Sequence, residues 1–364
     1  MKAVTLKAVH QYEVGTVPDP TVGPNDVLLR VNQVGICGSD VHIYNGQNAF
    51  VKPPIIQGHE FSGTVVETGK EVTGYFVGDV VSVEPTLGCM ECDPCKGSRR
   101  NQCDSLRILG CQADGALAEY ISVPAYTVHK FNGPFANQRD NYRLAALGEP
   151  AAVGIHSARQ GGAGKTTSNR RYFVIGAGII GFMAMNAIKY LDPEARVVAS
   201  DMSAFRLKKV RQLGAADEIV VVQSPETATL VGQLRDLELY GNGFDVVIDA
   251  VGAGNTLETA IHLAKKGSGT VVQLGITPQP QRVLENLRRE TRIVGSRVYN
   301  RDDFTAALDM LKRRPGLQAL VTPPVREVPL TRGGFDLESV EEAIVLTQRQ
   351  EYFKVFVEVD RDAG

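Results

Sequence analysis

Residues 172–181 read Tyr-Phe-Val-Ile-Gly-Ala-Gly-Ile-Ile-Gly, an apolar run that leads into a glycine-rich turn. The run predicts a short buried strand over Tyr172–Ile175, and the apolar residues Ile180–Leu191 predict a helix directly after the turn. Glycines at this spacing permit a tight turn, a close approach of a ligand to the backbone and close packing of helix on strand. The N-terminus of the helix attracts the charge of a pyrophosphate. We therefore expect a dinucleotide at Gly176, Gly178, Ile179, Ile180 and Gly181.

Strands and helices alternate along the chain from about Arg171 to about Gly295. Such an alternation is typical of a parallel sheet with helices on both faces, which is a Rossmann-type doubly wound α/β fold. We expect this dinucleotide-binding domain to cover residues 154–296. Its other strands are predicted at Arg196–Ser200, Glu218–Val222, Phe244–Asp249 and Thr270–Leu274, and its other helices at Phe205–Leu213 and Leu257–Ala264.

Asp201 ends the strand that follows the glycine turn and comes twenty residues after Gly181. A carboxylate at this place bonds both ribose hydroxyls and repels a 2′-phosphate, which favours NAD over NADP. Arg206 keeps NADP open, because an arginine there packs on an adenine or meets a phosphate. A glycine turn without any nucleotide is the other alternative. The combined pattern predicts NAD as the cofactor.

The first 150 residues are rich in glycine, proline and valine, and they predict an irregular β domain. Short runs bounded by turn residues indicate strands at Val27–Val31, Gly63–Glu67 and Val80–Val83. After Gly295, one helix (Asp303–Lys312) and a closing strand (Lys354–Glu358) are predicted, so we expect the C-terminus to complete the first domain over residues 1–153 and 297–364. The segment Val321–Phe335 is expected to be a long loop that covers a cleft or contacts a partner subunit.

The composition excludes several classes of protein. The 364 residues are 43% hydrophobic and 22% charged, with a net charge of −2, so no basic excess points to nucleic acid. The start of the chain has no apolar core of signal-peptide length, and the longest apolar stretch is too short to span a bilayer. We expect a cytoplasmic protein of two domains without a membrane partner.

Four of the six cysteines fall within fifteen residues, as Cys89-x2-Cys92-x2-Cys95-x7-Cys103. Four thiolates in one compact loop are the ligand set of a closed, structural zinc site. An iron–sulfur cluster has the same ligands, and two disulfides are a third possibility, although a reducing cytosol disfavours them. The fifth cysteine belongs to another motif, and Cys111 has no motif partner and is expected to be a buried thiol.

A second group of metal-ligating residue types occurs earlier in the chain. Cys37-Gly38-Ser39-Asp40-Val41-His42 is followed by Gly58-His59-Glu60. A thiolate, an imidazole and a carboxylate form a mixed zinc site that leaves one position open for chemistry. Cys37 and His59 are the expected ligands, and either Glu60 or Glu149 is the third. Tyr44 is expected to line a substrate pocket or to belong to the core.

These motifs resemble those of the zinc-containing medium-chain dehydrogenase superfamily, and within it the sorbitol (polyol) dehydrogenase group. The resemblance extends nearly from end to end. It is carried by Gly58-His59-Glu60-x2-Gly63-x5-Gly69-x2-Val72, by Gly78-Asp79-x-Val81, by the cysteine loop and by the glycine turn, in the family order.

The resemblance implies a GroES-like β domain that carries a catalytic and a structural zinc, joined to a Rossmann domain with the active site in the cleft. It implies that Cys37, His59 and Glu60 bind the catalytic zinc, and that Glu149 ligates the metal or holds its water. Ser39 and His42 match the family's proton relay, and Asp40 matches a residue that orients the ligand histidine. The four loop cysteines match the structural zinc ligands, and a homodimer or homotetramer is expected.

The implied function is hydride transfer between a secondary alcohol of the polyol, sugar-alcohol or cyclitol type and NAD. The segment Gly295-Ser296-Arg297-Val298-Tyr299 departs from the pattern of the sorbitol enzymes, so sorbitol itself is not predicted. Threonine or a vicinal diol is the alternative substrate, although threonine dehydrogenases typically carry aspartate in place of Glu149. A zinc-free quinone or enone reductase and a non-catalytic zinc- and nucleotide-binding protein are two further alternatives.

Overall fold

The structure, a computed structural model, describes residues 1–48, 50–165, 169–224, 226–235, 240–276, 283–322, 331–349 and 351–360. The chain divides into two units. The first consists of Met1–Glu149, Asn300–Lys312 and Gln318–Gly364, and the second of Pro150–Tyr299 and Arg313–Leu317. None of the helices in the described ranges has both the length and the apolar character needed to cross a bilayer.

The N-terminal part of the chain is mostly β-structure. Its strands are β1 (Lys2–Ala8), β2 (Gln11–Thr16), β3 (Asp26–Ile36), β4 (Ile55–Ile56), β5 (Glu60–Thr68), β6 (Val80–Val83), β7 (Thr86–Leu87), β8 (Arg107–Ile108), β9 (Tyr120–Pro124) and β10 (Val128–Lys130). Its helices are α1 (Gly38–Tyr44), α2 (Asp93–Lys96), α3 (Gln138–Ala146) and α4 (Gly148–Gln160), with short 3₁₀ turns at Arg100–Gln102 and Ala125–Thr127.

The middle of the chain alternates between strand and helix. In order it contains β11 (Arg171–Ile175), α5 (Ile179–Leu191), β12 (Arg196–Asp201), α6 (Ala204–Gln212), β13 (Glu218–Val221), α7 (Thr227–Arg235), β14 (Val246–Asp249), α8 (Thr256–Leu263), β15 (Thr270–Gln273), α9 (Glu285–Arg289) and β16 (Arg292–Gly295). The C-terminal part adds α10 (Arg301–Arg313), α11 (Pro315–Val321), β17 (Thr331–Phe335), a 3₁₀ turn at Leu337–Ser339, α12 (Val340–Gln348) and β18 (Lys354–Glu358).

Strand β3 is the centre of the first unit. The largest sheet there has the order β10-β6-β5-β3-β18-β17, and β9 also pairs with β3. Both neighbours of β3 are antiparallel to it, with Gly35 opposite Glu60 of β5 and opposite Phe356 of β18. The side chains of Val27, Leu29, Val31 and Val34 are fully buried, because apolar residues on a strand with covered faces are removed from water. The C-terminal strand β18 is therefore part of the N-terminal sheet.

The second unit is built on a six-stranded sheet with the order β13-β12-β11-β14-β15-β16. All of its pairings are parallel. Numbered from its first strand, the order is 3-2-1-4-5-6, which is that of a dinucleotide-binding Rossmann fold. The order reverses direction between β11 and β14, so the turn after β11 lies at the switch point where such sheets bind ligands.

The α/β fold class predicted from the sequence is confirmed, and one local prediction is wrong. The strand–helix alternation agrees with the structure to within about two residues at most ends, and the end of the chain returns to the first sheet. The predicted loop Val321–Phe335 is instead bounded by secondary structure, because α11 ends at Val321 and Thr331–Phe335 forms β17 parallel to β18. Residues 323–330 lie outside the described residues.

Candidate active site

Three potential metal ligands meet where β3 ends and β5 begins. Cys37 follows the last residue of β3, His59 precedes the first residue of β5, and Glu60 is that first residue. Their ligand atoms all lie within 4.8 Å of one another, and the side chains of His59 and Glu60 are buried. Bonds to zinc of about 2.0–2.3 Å place two tetrahedral ligands about 3–4 Å apart, so the three atoms are close enough to share one ion.

The Asp40 carboxylate lies against both Cys37 and His59. One carboxylate oxygen accepts a hydrogen bond from the backbone N–H of Cys37 at 2.9 Å. The other lies 3.5 Å from Nδ1 of His59, and the Asp40 side chain is fully buried. A carboxylate on Nδ1 fixes the tautomer and orientation of an imidazole that binds metal through its other nitrogen. Asp40 therefore directs Nε2 of His59 towards the ligand group.

Ser39 lies next to Nε2 of His59, the ring nitrogen that does not face Asp40. Its hydroxyl oxygen is 3.3 Å from Nε2 of His59, and Ser39 is half-buried in the first turn of α1. One turn further along the same helix, His42 is exposed, with Nδ1 2.9 Å from Oε1 of Gln47. The structure thus brings Ser39 to the ligand group and places His42 at the solvent side of α1.

A buried lysine that the sequence analysis did not single out completes this cluster. Lys354, the first residue of β18, has a side chain that is 1% exposed, and its ammonium lies 2.5 Å from Oε2 of Glu60. It also donates to the backbone carbonyl of Ile36 at 3.1 Å. The only sequence signal was a lysine at the start of the closing strand, next to the apolar residues Val355–Val357. No local pattern connects it to Glu60, which is 294 residues away.

The electrostatics of the cluster favour positive charge. Burial alone would lower the pKa of His59, but Asp40 and Cys37 outweigh it and raise that pKa well above its ordinary value. Burial would likewise lower the pKa of Lys354, and the charges of Glu60 and Cys37 raise it. A buried pocket with one thiolate and two carboxylates stabilises cations, so this donor set fits a divalent metal ion.

Two other residues named from the sequence lie near the cluster but outside the group of three. Glu149, in the first turn of α4, acts electrostatically on Lys354 and on Cys111. Cys111, which was expected to be a buried thiol, is only partly buried, and desolvation there raises the pKa of its thiol to about 11. Tyr44 belongs to the core: it is 7% exposed and stacks on Tyr12 with ring centroids 5.4 Å apart.

The four clustered cysteines form a second potential metal site. Their sulfur atoms lie within 4.8 Å of one another, and the Cys89 and Cys95 sulfurs are 4.0 Å apart. Two thiolates on a tetrahedral zinc with bonds of about 2.3 Å are about 3.8 Å apart, whereas a disulfide needs about 2.05 Å. Backbone N–H groups of Glu91 and Cys92 lower the pKa of Cys89 to about 6. The lobe fits a four-thiolate metal site and not a pair of disulfides.

In the second unit, the glycine turn has the geometry that a dinucleotide needs. Gly176 has a φ of +98°, and a Cβ atom on Gly181 would lie 1.9 Å from the carbonyl oxygen of Gly176, so neither position tolerates a side chain. A Cβ on Gly178 would meet nothing within 4 Å, which leaves open space beside the backbone. Ile179 and Ile180 begin α5, whose first amides have no partner within the helix. The turn therefore offers an open N-terminus to an anion.

Asp201 is attached to this turn through one carboxylate oxygen and to its own following loop through the other. One accepts from the backbone N–H of Ala177 and the other from that of Ser203, each at 2.7 Å. A carboxylate oxygen has a second lone pair, so these bonds leave capacity for ribose hydroxyls. Arg206 is half-buried in the first turn of α6, where its N–H is capped by the Ser203 hydroxyl at 3.3 Å.

Comparisons with known proteins agree with both halves of the chain. The alcohol dehydrogenase GroES-like domain matches residues 23–133, and the zinc-binding dehydrogenase domain matches residues 180–313. An L-threonine 3-dehydrogenase of Symbiobacterium thermophilum is 34% identical over 76% of this chain and 77% of its own length. A sorbitol dehydrogenase of Halalkalibacterium halodurans is 32% identical over 88% of this chain and 92% of its own.

A solved structure shows the same fold over almost the whole chain. It is an alcohol dehydrogenase from Escherichia coli CFT073 in complex with NADH, with a TM-score of 0.83, 29% identity and coverage of 98% of this chain and 99% of that one. The mixed ligand cluster, the cysteine lobe and the glycine turn of a 3-2-1-4-5-6 sheet thus occur in a chain whose relatives are dehydrogenases. The chain belongs to the zinc-containing medium-chain dehydrogenase superfamily, in the group of the polyol dehydrogenases.

Proposed function

We propose that this chain oxidises a secondary hydroxyl group of a polyol, sugar alcohol or cyclitol with NAD as hydride acceptor, using zinc held by Cys37, His59 and Glu60. The observation that carries the proposal is the position of the Ser39 hydroxyl, 3.3 Å from Nε2 of His59 at the edge of the ligand group. A hydroxyl placed there contacts a substrate oxygen that enters the open coordination position. A catalytic zinc site needs such an open position, whereas a structural one is closed.

The chain's own residues prepare the proton transfer. When bound, zinc supplies a Lewis acid that lowers the pKa of a substrate hydroxyl. Ser39 is proposed to accept the substrate hydroxyl proton while it releases its own hydroxyl proton towards exposed His42 on the same helix, which exchanges protons with solvent. Asp40 keeps the His59 ring oriented throughout, and the Glu149 carboxylate near Lys354 contributes negative charge beside the metal. When bound, the nicotinamide accepts the hydride.

The four-cysteine lobe is proposed to hold the structural zinc. All four cysteines are present and free, and their sulfurs converge within one loop. A cluster of four thiolates around a metal is more typical of reducing compartments than of oxidising ones, and on this basis we propose a cytoplasmic location. A closed four-thiolate site contributes folding energy and takes no part in the reaction.

For the cofactor, we propose NAD over NADP because of Asp201. Its carboxylate lies at the end of β12, beside the open space at Gly178, and it carries the negative charge that a 2′-phosphate would meet. Gly176, Gly178 and Gly181 shape the pyrophosphate site, with Ile179 and Ile180 at the helix start. Arg206 on the adjacent helix is proposed to pack on the adenosine.

A homo-oligomer is proposed through the edge of the second sheet. Strand β16 is an edge strand whose only pairing among the described strands is with β15. The side chains of Leu284 and Leu287 just before it are 70% and 79% exposed. An unpaired edge beside exposed apolar side chains is suited to pairing with a second copy, and light scattering of the purified protein measures the resulting mass.

The experiment that tests the function is metal analysis together with NAD reduction on a substrate panel. We expect two zinc ions per chain and activity on polyols or cyclitols. Threonine and vicinal diols belong on the panel, because an L-threonine 3-dehydrogenase is among the relatives. Activity on threonine alone would replace the proposed substrate class, and one zinc without any alcohol oxidation would refute the catalytic role.

A further inference from the structure

We propose that Lys354 is a positioning residue that holds one oxygen of Glu60 and so makes Glu60 a one-oxygen ligand of the catalytic metal. The inference rests on the proposed function, because it takes Glu60 as a ligand. It assigns a task to a residue outside every motif of the sequence. The basis is the way in which three adjacent strands bring Lys354 and Glu60 together.

The ion pair reaches across a whole strand. Glu60 begins β5 and Lys354 begins β18, and these strands lie on opposite sides of β3. Neighbouring strands are about 4.8 Å apart, so residues on the two outer strands are about twice that distance apart at the backbone. Their side chains nevertheless meet at 2.5 Å, because each extends over β3.

Gly35 of β3 makes this crossing possible. It stands opposite Glu60 in the register, and a Cβ atom there would lie 2.7 Å from Oε2 of Glu60 and 3.2 Å from Cδ of Lys354. Contacts below about 3 Å force one of the groups to move. The absence of a side chain at Gly35 therefore leaves the space that the Glu60–Lys354 pair occupies.

The hydrogen bonding of the pair separates the two oxygens of Glu60. Oε2 accepts from the ammonium of Lys354, which also donates to the carbonyl of Ile36, the residue before Cys37. Oε1 is buried and has no hydrogen-bond partner within the described residues. A buried carboxylate oxygen without a partner is costly unless something else binds it. Oε1 is therefore the oxygen directed to the metal, and Oε2 is unavailable for two-oxygen binding.

Lys354 also sets the charge of the site. Cys37 as a thiolate and Glu60 as a carboxylate bring two negative charges, and Lys354 offsets one of them from a position that is 1% exposed. Metal ligands held by a neighbouring group bind more tightly than unsupported ones, and loss of such a partner typically costs about 10–100-fold in metal affinity. A pair that only stabilised the fold would leave metal binding unchanged, and this difference makes the proposal testable.

The test uses cobalt in place of zinc, because Co²⁺ reports its ligand geometry in its visible absorption. Full-length protein is loaded with Co²⁺, and the spectrum of Cys37→Ala is subtracted to remove the contribution of the cysteine lobe. We expect Lys354→Met to change the difference spectrum and to speed metal release to a chelator about 10–100-fold. Gly35→Ala retains both charges but crowds the pair, and it should act in the same direction. Gly232→Ala is the matched control, since this glycine is exposed on α7 and a Cβ there meets nothing within 4 Å.

A double variant tests whether Lys354 acts through Glu60. In a Glu60→Gln background, Lys354→Met should change cobalt release by less than about twofold, because the interaction it removes no longer exists. An equally large effect in both backgrounds would overturn the proposal, as would an unchanged spectrum and release rate in Lys354→Met. If Lys354→Met does not fold, Gly35→Ala decides the question by the same two readouts. If the proposed catalytic metal site itself does not exist, the native chain will show no cobalt difference spectrum against Cys37→Ala. That outcome is distinguishable from an unchanged spectrum in Lys354→Met.

Discussion

Arg100 and Glu84 form a buried ion pair that attaches the cysteine lobe to the main sheet of the first unit. Arg100 lies between Cys95 and Cys103, and its Nη2 is 2.5 Å from Oε1 of Glu84, the residue after β6. The Glu84 side chain is fully buried. Thr86 also donates to Oε1 of Glu84 at 2.7 Å. The lobe thus has an anchor of its own, independent of any metal.

Removal of one partner from this pair should destabilise the protein. We expect Arg100→Met to cost about 3 kcal/mol, because it removes the guanidinium from a buried carboxylate whose other basic neighbour is His129. Chelator-induced release of the lobe metal should become faster as the loop loosens. Urea unfolding and metal release measure the two effects. The double variant Glu84→Gln, Arg100→Met removes both charges and should recover most of the stability; no recovery would mean that the charge pair is not the cause.

Ser39 and Cys37 should have separable roles in catalysis. Ser39→Ala removes the proton acceptor but no metal ligand, so we expect kcat to fall about 100-fold or more while both zinc ions stay bound. Cys37→Ala removes a ligand and should lose one zinc per chain together with turnover. Steady-state kinetics and metal analysis measure both, and Ser39→Thr, which keeps a hydroxyl, is the control. Near-normal turnover in a Cys37→Ala protein without the catalytic metal would refute the mechanism.

Local sequence patterns were sufficient to predict five of the six strands of the second unit, whereas strand β16 and helices α7 and α9 were not predicted. The apolar run, the glycine turn and Asp201 lie within thirty residues. One βα unit and the strand after it were therefore enough to predict the dinucleotide site. The structure adds that Asp201 holds the backbone of the turn at Ala177, which a motif cannot show. The cysteine lobe was predictable for the same reason, since its four sulfurs come from one short loop.

Interactions between distant segments were not predictable. Lys354 meets Glu60 across 294 residues only because β18 returns to lie beside β3, and no spacing rule connects them. The pair of Arg100 and Glu84 was missed because a single arginine in a polar loop looks like a solvated side chain. The sequence left Glu60 and Glu149 open as the third ligand; the coordinates group Glu60 with Cys37 and His59, and its role as a metal ligand stays a prediction.

Asp201 should control the choice between NAD and NADP. We expect Asp201→Ala to raise the KM for NAD about 10–100-fold, as loss of hydrogen bonds to a carboxylate costs about 1.5–3 kcal/mol. The KM for NADP should change less or fall, because the repelling charge is gone. Asp201→Asn retains an acceptor for the backbone of the turn and separates charge from structure. Equal losses for both cofactors in the asparagine variant would indicate a purely structural role.

Asp245 makes the second unit sensitive to acid. Burial alone would raise the pKa of Asp245, but the hydrogen bond from Lys265 and the backbone N–H of Arg171 at 2.8 Å lower it. A carboxyl group whose pKa is lower in the folded than in the unfolded state stabilises the fold above its unfolded pKa of about 3.9. This contribution is lost as the pH falls through the folded pKa.

The variant Asp245→Asn removes this pH dependence. We expect it to be about 1–2 kcal/mol less stable than the native protein at pH 7, because an amide replaces the charge facing Lys265. The charge-dependent part of the gap should begin to shrink as the pH falls below the unfolded pKa of about 3.9, because the unfolded chain then binds a proton that native Asp245 does not, and it should vanish once the pH is below the folded pKa. Thermal unfolding of both proteins from pH 7 to pH 3 measures the gap. Asp140→Asn is the control of opposite sign, because burial raises the pKa of Asp140 and its ionisation therefore opposes folding. A gap between native and Asp245→Asn that stays constant with pH would show that the side-chain charge contributes nothing.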